Sequence, residues 1–141
     1  MSQTAILYPV VAMLLLVAMV MALMLRERIQ EMKTRRIHPQ KVASSSQMGA
    51  VLQNTRAADN YKNLFEFPVF FYVLCLALLA TQMVSAGFVW AAWAFVALRV
   101  VHSFIHVGYN KVMHRFQVFI LSSMLLLGMW LVFAYQLFGK S

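Results

Sequence analysis

Arg99, His102, Ser103, His106 and Asn110 lie at offsets of 0, 3, 4, 7 and 11. At about 100° per residue these positions share one narrow face of an α-helix. The stretch around them, Phe88 to Val107, is otherwise apolar enough to be a bilayer span. Ionisable groups are costly at that depth, so the row must face a partner helix or a wet cavity rather than lipid. A second stripe, Arg56, Asp59, Asn60, Asn63 and Glu66, follows offsets of 0, 3, 4, 7 and 10. Glu66 falls between Phe65 and Phe67, and a carboxylate there requires a cation or neutralisation. Arg99 is the expected partner, because the second and third spans are antiparallel neighbours across a tight turn. The pair has two readings, a structural ion pair and part of a ligand-lined cavity.

Arg115 opens the next apolar run. An arginine at a bilayer boundary either snorkels toward water or holds an anion such as a thiolate, carboxylate or phosphate. A free thiol titrates near ~8.5, and an adjacent cation can bring that below neutrality. Each pH unit requires about 1.4 kcal/mol of preferential stabilisation, within reach of one arginine in a partly dry site. His102 and His106 have the i, i+4 spacing of a metal pair, but Ser103 stands where a zinc protease would carry glutamate. No metal site is expected. Gly-rich phosphate loops and a nucleophile elbow are absent from the sequence.

The elements that must position these residues are membrane helices. Of the 141 residues 62% are apolar and 11% charged, and the mean hydropathy is +0.73. A span needs roughly 20 apolar residues, which leaves room for one all-α domain, 1–141, of four spans at about 5–25, 64–83, 88–107 and 116–138. The expected arrangement is an integral membrane four-helix bundle of left-handed up-down topology. From Gln47 no breaker interrupts the helical pattern until Pro68, so the second helix is expected to extend beyond the bilayer from about residue 47. One serine of the 44–46 run is expected to cap it. The first span lacks a basic n-region and a small-residue cleavage signature, so it is read as a retained helix.

Basic residues cluster between spans one and two and, as Lys111 and Arg115, between spans three and four; the opposite side has the nearly uncharged 81–87 turn and Lys140. The positive-inside rule makes both basic loops cytoplasmic and both termini non-cytoplasmic. The net charge of +8 therefore signals orientation and anionic lipid. Aromatic residues do not interleave the basic ones, which argues against nucleic acid. Cys75 is the lone cysteine, so no intrachain disulfide is possible, and its expected role is core packing.

With these residues laid out, the chain resembles the MAPEG superfamily, membrane proteins of eicosanoid and glutathione metabolism. Asn63 and Glu66 match its N-x-x-E pattern, Arg99 and His102 its R-x-x-H pattern, and Arg115 its helix-four arginine, with a looser match at Arg26. The resemblance implies a homotrimer with glutathione between neighbouring subunits near the cytoplasmic side. It makes Arg115 the catalytic, thiolate-stabilising residue. Arg26, Arg56, Asn63, Glu66, Arg99, His102 and His106 become the glutathione-binding set. Asp59 stands where active members often carry an arginine, His106 where a helix-three tyrosine contacts glutathione, and Phe116 and Phe119 where prostaglandin-synthase-like members carry a serine and a tyrosine.

The leading expectation is a glutathione-dependent transferase or peroxidase acting on lipophilic electrophiles or lipid hydroperoxides supplied through membrane lipid. The alternative is a non-catalytic lipid-binding or scaffold protein of the same fold, which has no use for an arginine poised on a thiolate. A channel would need the polar stripes to reach both membrane faces, and they stop midway. The short chain without a terminal retention signal points to a bacterial inner membrane. Orientation is directly testable. In a Cys75→Ser background, Ser46→Cys should react with an impermeant maleimide only from the cytosolic side, and Gln82→Cys only from the opposite side.

Overall fold

Helices account for every regular element of the computed structural model, which describes residues 2–139. Lys140, counted above among the charges, lies outside them. A 3₁₀ turn, Gln3–Ile6, leads into α1, Leu7–Thr34. At about 1.5 Å per residue α1 is roughly 42 Å long, beyond the ~30 Å hydrocarbon thickness. Its charged last turns, from Arg26 onward, therefore project past the apolar zone. The chain turns at Arg36, which has φ of 52°, and passes through a second 3₁₀ turn, Pro39–Val42. Ser44 then starts α2, Ser45–Val51, with a capping box: its hydroxyl accepts the Gln47 amide, and the Gln47 side chain accepts the Ser44 amide. This is the expected serine cap.

The helix expected to run on from residue 47 stops at Val51, and a new helix, α3, spans Arg56–Glu66. The reason is tertiary. The Gln53 and Asn54 amides donate to Glu31 at 2.7 and 3.2 Å, instead of to carbonyls one turn back. Arg35 Nη1 donates both to Glu31 and to the Val51 carbonyl, each at 2.7 Å. Charge-assisted bonds of this kind outweigh the helix bonds they replace. No periodicity in the 47–66 sequence reveals them, because the carboxylate sits on another helix.

α3 continues across a break at Phe67–Pro68 into α4, Val69–Ala80. Pro68 has no N–H, so the Leu64 carbonyl loses its partner one turn on. A turn with Gln82 at φ of 55° leads to α5, Ala86–Val107, and residues 108–111 connect it to α6, Val112–Phe138. Four segments are long and apolar enough to cross a membrane: Gln3–Thr34, Arg56–Ala80, Ala86–Val107 and Val112–Phe138. The protein is an integral, multi-pass membrane protein. α5 packs along α6, and α3 packs against both α1 and α5. Met13, Phe71, Leu74, Phe95 and Leu126 are fully buried at the centre, where Phe71 stacks on Phe95 with ring centroids 4.7 Å apart. Leu14, Val73 and Leu131 point outward, as lipid-facing residues do.

The α5–α6 turn sets the register of Arg115. Gly108 ends α5, and a Cβ there would stand 2.8 Å from the Phe104 carbonyl oxygen, closer than real side chains approach. The Gly108 carbonyl accepts Arg56 Nη1 at 3.0 Å, and the Asn110 amide closes the turn on the Ile105 carbonyl at 2.8 Å. Gly108→Ala should therefore destabilise the fold by about 1–3 kcal/mol, read as a lower unfolding midpoint in detergent by circular dichroism. Gly49→Ala, where a Cβ meets nothing within 4 Å, is the control that should cost nothing.

Candidate functional site

The two polar stripes meet face to face, because α3 packs on α5 with Asn60 and Asn63 turned toward it. Asn60, Arg99, His102, Ser103 and His106 are all buried, none more than 4% exposed. Ser103 Oγ donates to Asn60 Oδ1 at 3.3 Å. Asn63 is the junction of the array. Its backbone carbonyl accepts Arg99 Nη2 at 3.2 Å, and its side-chain amide donates to the Asp59 carbonyl at 3.1 Å and reaches His106 Nε2 at 3.4 Å.

The expected Glu66–Arg99 pair does not form. Arg99 is fully buried, whereas Glu66 is exposed, and the ion pair among the described residues is Glu31–Arg35. Similar depth was not sufficient, because rotation about the helix axis leaves Glu66 exposed while Asn60 and Asn63 turn toward α5. Arg99 instead approaches the C-terminal end of α3 through the Asn63 carbonyl, where the last carbonyls carry the negative end of the helix dipole. Its Nε and Nη1 find no partner among the described residues.

Arg115 lies in the first turn of α6, three residues past the helix start. Its Nη1 donates to Asn110 Oδ1 at 2.8 Å and to His106 Nε2 at 3.3 Å. Arginine has no acceptor, so His106 Nε2 accepts, and that ring carries a proton on Nδ1. Asn110 can aim its side chain this way because it sits at φ of 49°, a conformation that asparagine tolerates. Arg115 thus enters its cavity held by two neutral groups and by no carboxylate. The cavity, about 200 Å³, has a polar wall of Asn63, His102 and Arg115 and an apolar wall of Val112, Phe116 and Phe119. Phe119 lies against His102 across it and against Phe67 outside it, with ring centroids 6.2 and 6.1 Å apart.

A cation without a countercharge beside an apolar wall, on a membrane four-helix bundle, agrees with the comparison to protein families, in which the MAPEG family model matches residues 6–135. The chain belongs to the MAPEG family. No curated protein and no solved structure matches the chain significantly. MAPEG proteins include glutathione-dependent transferases and peroxidases and are commonly oligomeric.

Of the residues singled out in this MAPEG chain, Asn63, His102 and Arg115 line one cavity, with His106 bound behind it to Asn63 and Arg115 and Arg99 linked to it through Asn63. Arg56 holds the Gly108 carbonyl instead. Arg26 lines a separate opening with Gln30 and Lys33, and Glu66 faces outward. Sequence reasoning placed Asn110 in the polar row without a binding role and treated Phe116 and Phe119 only as departures from the family pattern. The available signal was confined to Phe119, which lies four residues after Arg115 and so on the same side of the helix.

Ser103→Ala should cost about 1 kcal/mol, because it leaves Asn60 Oδ1 unpaired inside the bundle. Adding Asn60→Leu should recover part of that loss. A double-mutant cycle on unfolding midpoints in detergent checks both values.

Proposed function

We propose that this protein is a glutathione-dependent membrane transferase or peroxidase acting on lipophilic electrophiles or lipid hydroperoxides. The supporting observation is Arg115, a cavity-lining guanidinium held by Asn110 and His106 and neutralised by no acid. Glutathione supplies the nucleophilic sulfur when bound. Arg115 holds the negative charge on that sulfur, so the thiol proton leaves to water at neutral pH. His106 and Asn110 fix the guanidinium so that little reorganisation accompanies charge development. Phe116 and Phe119 offer the apolar surface against which a lipid-soluble co-substrate can lie, and they limit water access.

One protomer holds only part of such a site. The cavity of about 200 Å³ is below the ~300–1,000 Å³ of small-molecule pockets. Glu66 is exposed in a membrane-spanning segment, where an ionised carboxylate does not face lipid. A homotrimer resolves both facts. A neighbouring copy covers Glu66, which binds the γ-glutamyl ammonium, while Arg26 and Arg56 supply positive charge for the tripeptide carboxylates. The second reading, a non-catalytic lipid-binding or scaffold member, draws on Phe116 and Phe119, which leave no hydroxyl beside Arg115.

Ultraviolet difference titration of the purified protein with glutathione separates these readings. The thiolate band should be present at pH 7 and disappear only as the pH falls well below the ordinary thiol value of ~8.5. In Arg115→Ala the midpoint should return to about 8.5, and turnover at pH 7 should drop roughly tenfold or more. No band and no glutathione binding by calorimetry would assign the scaffold role.

A further inference from the structure

α3 has a second working face. The side of α3 opposite Asn60 and Asn63 forms, with the last turns of α1 and the α2–α3 connection, a separate cavity of about 380 Å³. Met24, Leu52 and Phe65 give it an apolar floor, and Arg28, Lys62 and Asp59 stand around it. The floor lies where the apolar runs end. Met24 is the last residue but one before the Arg26–Arg28 cluster, and Phe65 directly precedes Glu66. Two cations therefore face one carboxylate at the boundary between apolar and charged segments. Asp59 is already engaged by the Thr55 hydroxyl at 2.9 Å. Arg28 Nε is buried and donates to nothing among the described residues. A buried guanidinium donor without an acceptor is costly, and an anionic oxygen is the group that satisfies it best.

The wall formed by Leu52 is held in place independently of any ligand. Glu31 and Arg35 bind the Gln53 and Asn54 amides and the Val51 carbonyl, which keeps the α2–α3 connection standing off α1. The volume lies at the low end of the ~300–1,000 Å³ of small-ligand pockets. It suits one hydrocarbon chain rather than two.

We infer that this cavity binds a single-chain amphiphile with an anionic head, a fatty-acid carboxylate or a lysolipid phosphate. The head meets Arg28 and Lys62, and the chain lies on Met24, Leu52 and Phe65. The site does not depend on the glutathione reading, since it uses the other face of α3 and none of the Arg115 cluster.

The test is native mass spectrometry and thermal-shift titration of the full chain in non-ionic detergent with four probes: oleate, lysophosphatidate, lysophosphatidylcholine and inorganic phosphate. Oleate, lysophosphatidate or both should bind at one per protomer and raise the unfolding midpoint, with lysophosphatidylcholine at least about tenfold weaker. Which of the two binds more tightly identifies a carboxylate or a phosphate head. Arg28→Gln should weaken that binding about tenfold, the loss of one charge-assisted hydrogen bond, and Ala58→Phe should block it by filling the cavity. Neither variant should alter the glutathione thiolate band, so failure here is distinguishable from failure of the Arg115 reading. Equal binding of lysophosphatidylcholine overturns the inference, as does lysolipid binding that survives Arg28→Gln. Inorganic phosphate binding as tightly as lysophosphatidate would make this a soluble-anion site and overturn it too.

Discussion

The hydrogen bond from Arg99 to the Asn63 carbonyl is the constraint around which the polar interior is arranged. A fully buried guanidinium inside a membrane bundle must find electron-rich partners within the protein, because lipid offers none. Here the partner is the end of a helix. Pro68 interrupts the second span, and α3 consequently ends inside the bundle with carbonyls to spare. Arg99 binds this end at the Asn63 carbonyl, one residue before the Leu64 carbonyl that Pro68 leaves without its helical donor.

From that bond the geometry of the cavity follows. Arg99 fixes the backbone of Asn63, whose side chain bridges to His106, and His106 with Asn110 positions Arg115. Two arginines, one deep in the interior and one at the basic-loop end, are thus linked through hydrogen-bonding groups without an acid between them. Acidic residues stay out of the chain of contacts, so Arg115 keeps its charge for something that is not part of the protomer. The α5–α6 turn contributes by steric means, since Gly108 permits the close approach that brings α6 back alongside α5.

At the basic-loop end a different logic applies. Glu31 and Arg35 act as a clamp that takes three backbone groups away from helical bonding and holds the connection to α3 apart from α1. The result is that α3 presents one face to α5 and another to a separate cavity. Two sites of opposite character, one built on Arg115 and one beside Arg28, can share a helix of only 11 residues because their side chains leave it in opposite directions.

Much of this protein was legible in its sequence. Apolar run lengths and charge gave four membrane helices, because the bilayer requires continuous apolar stretches of defined length. Helical periodicity gathered Arg99, His102, Ser103 and His106 on one buried face, and the capping chemistry of the 44–46 serines marked the start of α2. The partner of Arg99 was not legible. Depth along the helix suggested Glu66, but rotation about the helix axis decided for the Asn63 carbonyl, and backbone carbonyls carry no sequence signal. The stop at Val51 was hidden for a related reason, since the competing acceptor, Glu31, lies 22 residues before the Gln53 amide it captures. Periodicity reports which residues share a face. Only tertiary packing determines what that face meets and which backbone groups are left for side chains to bind.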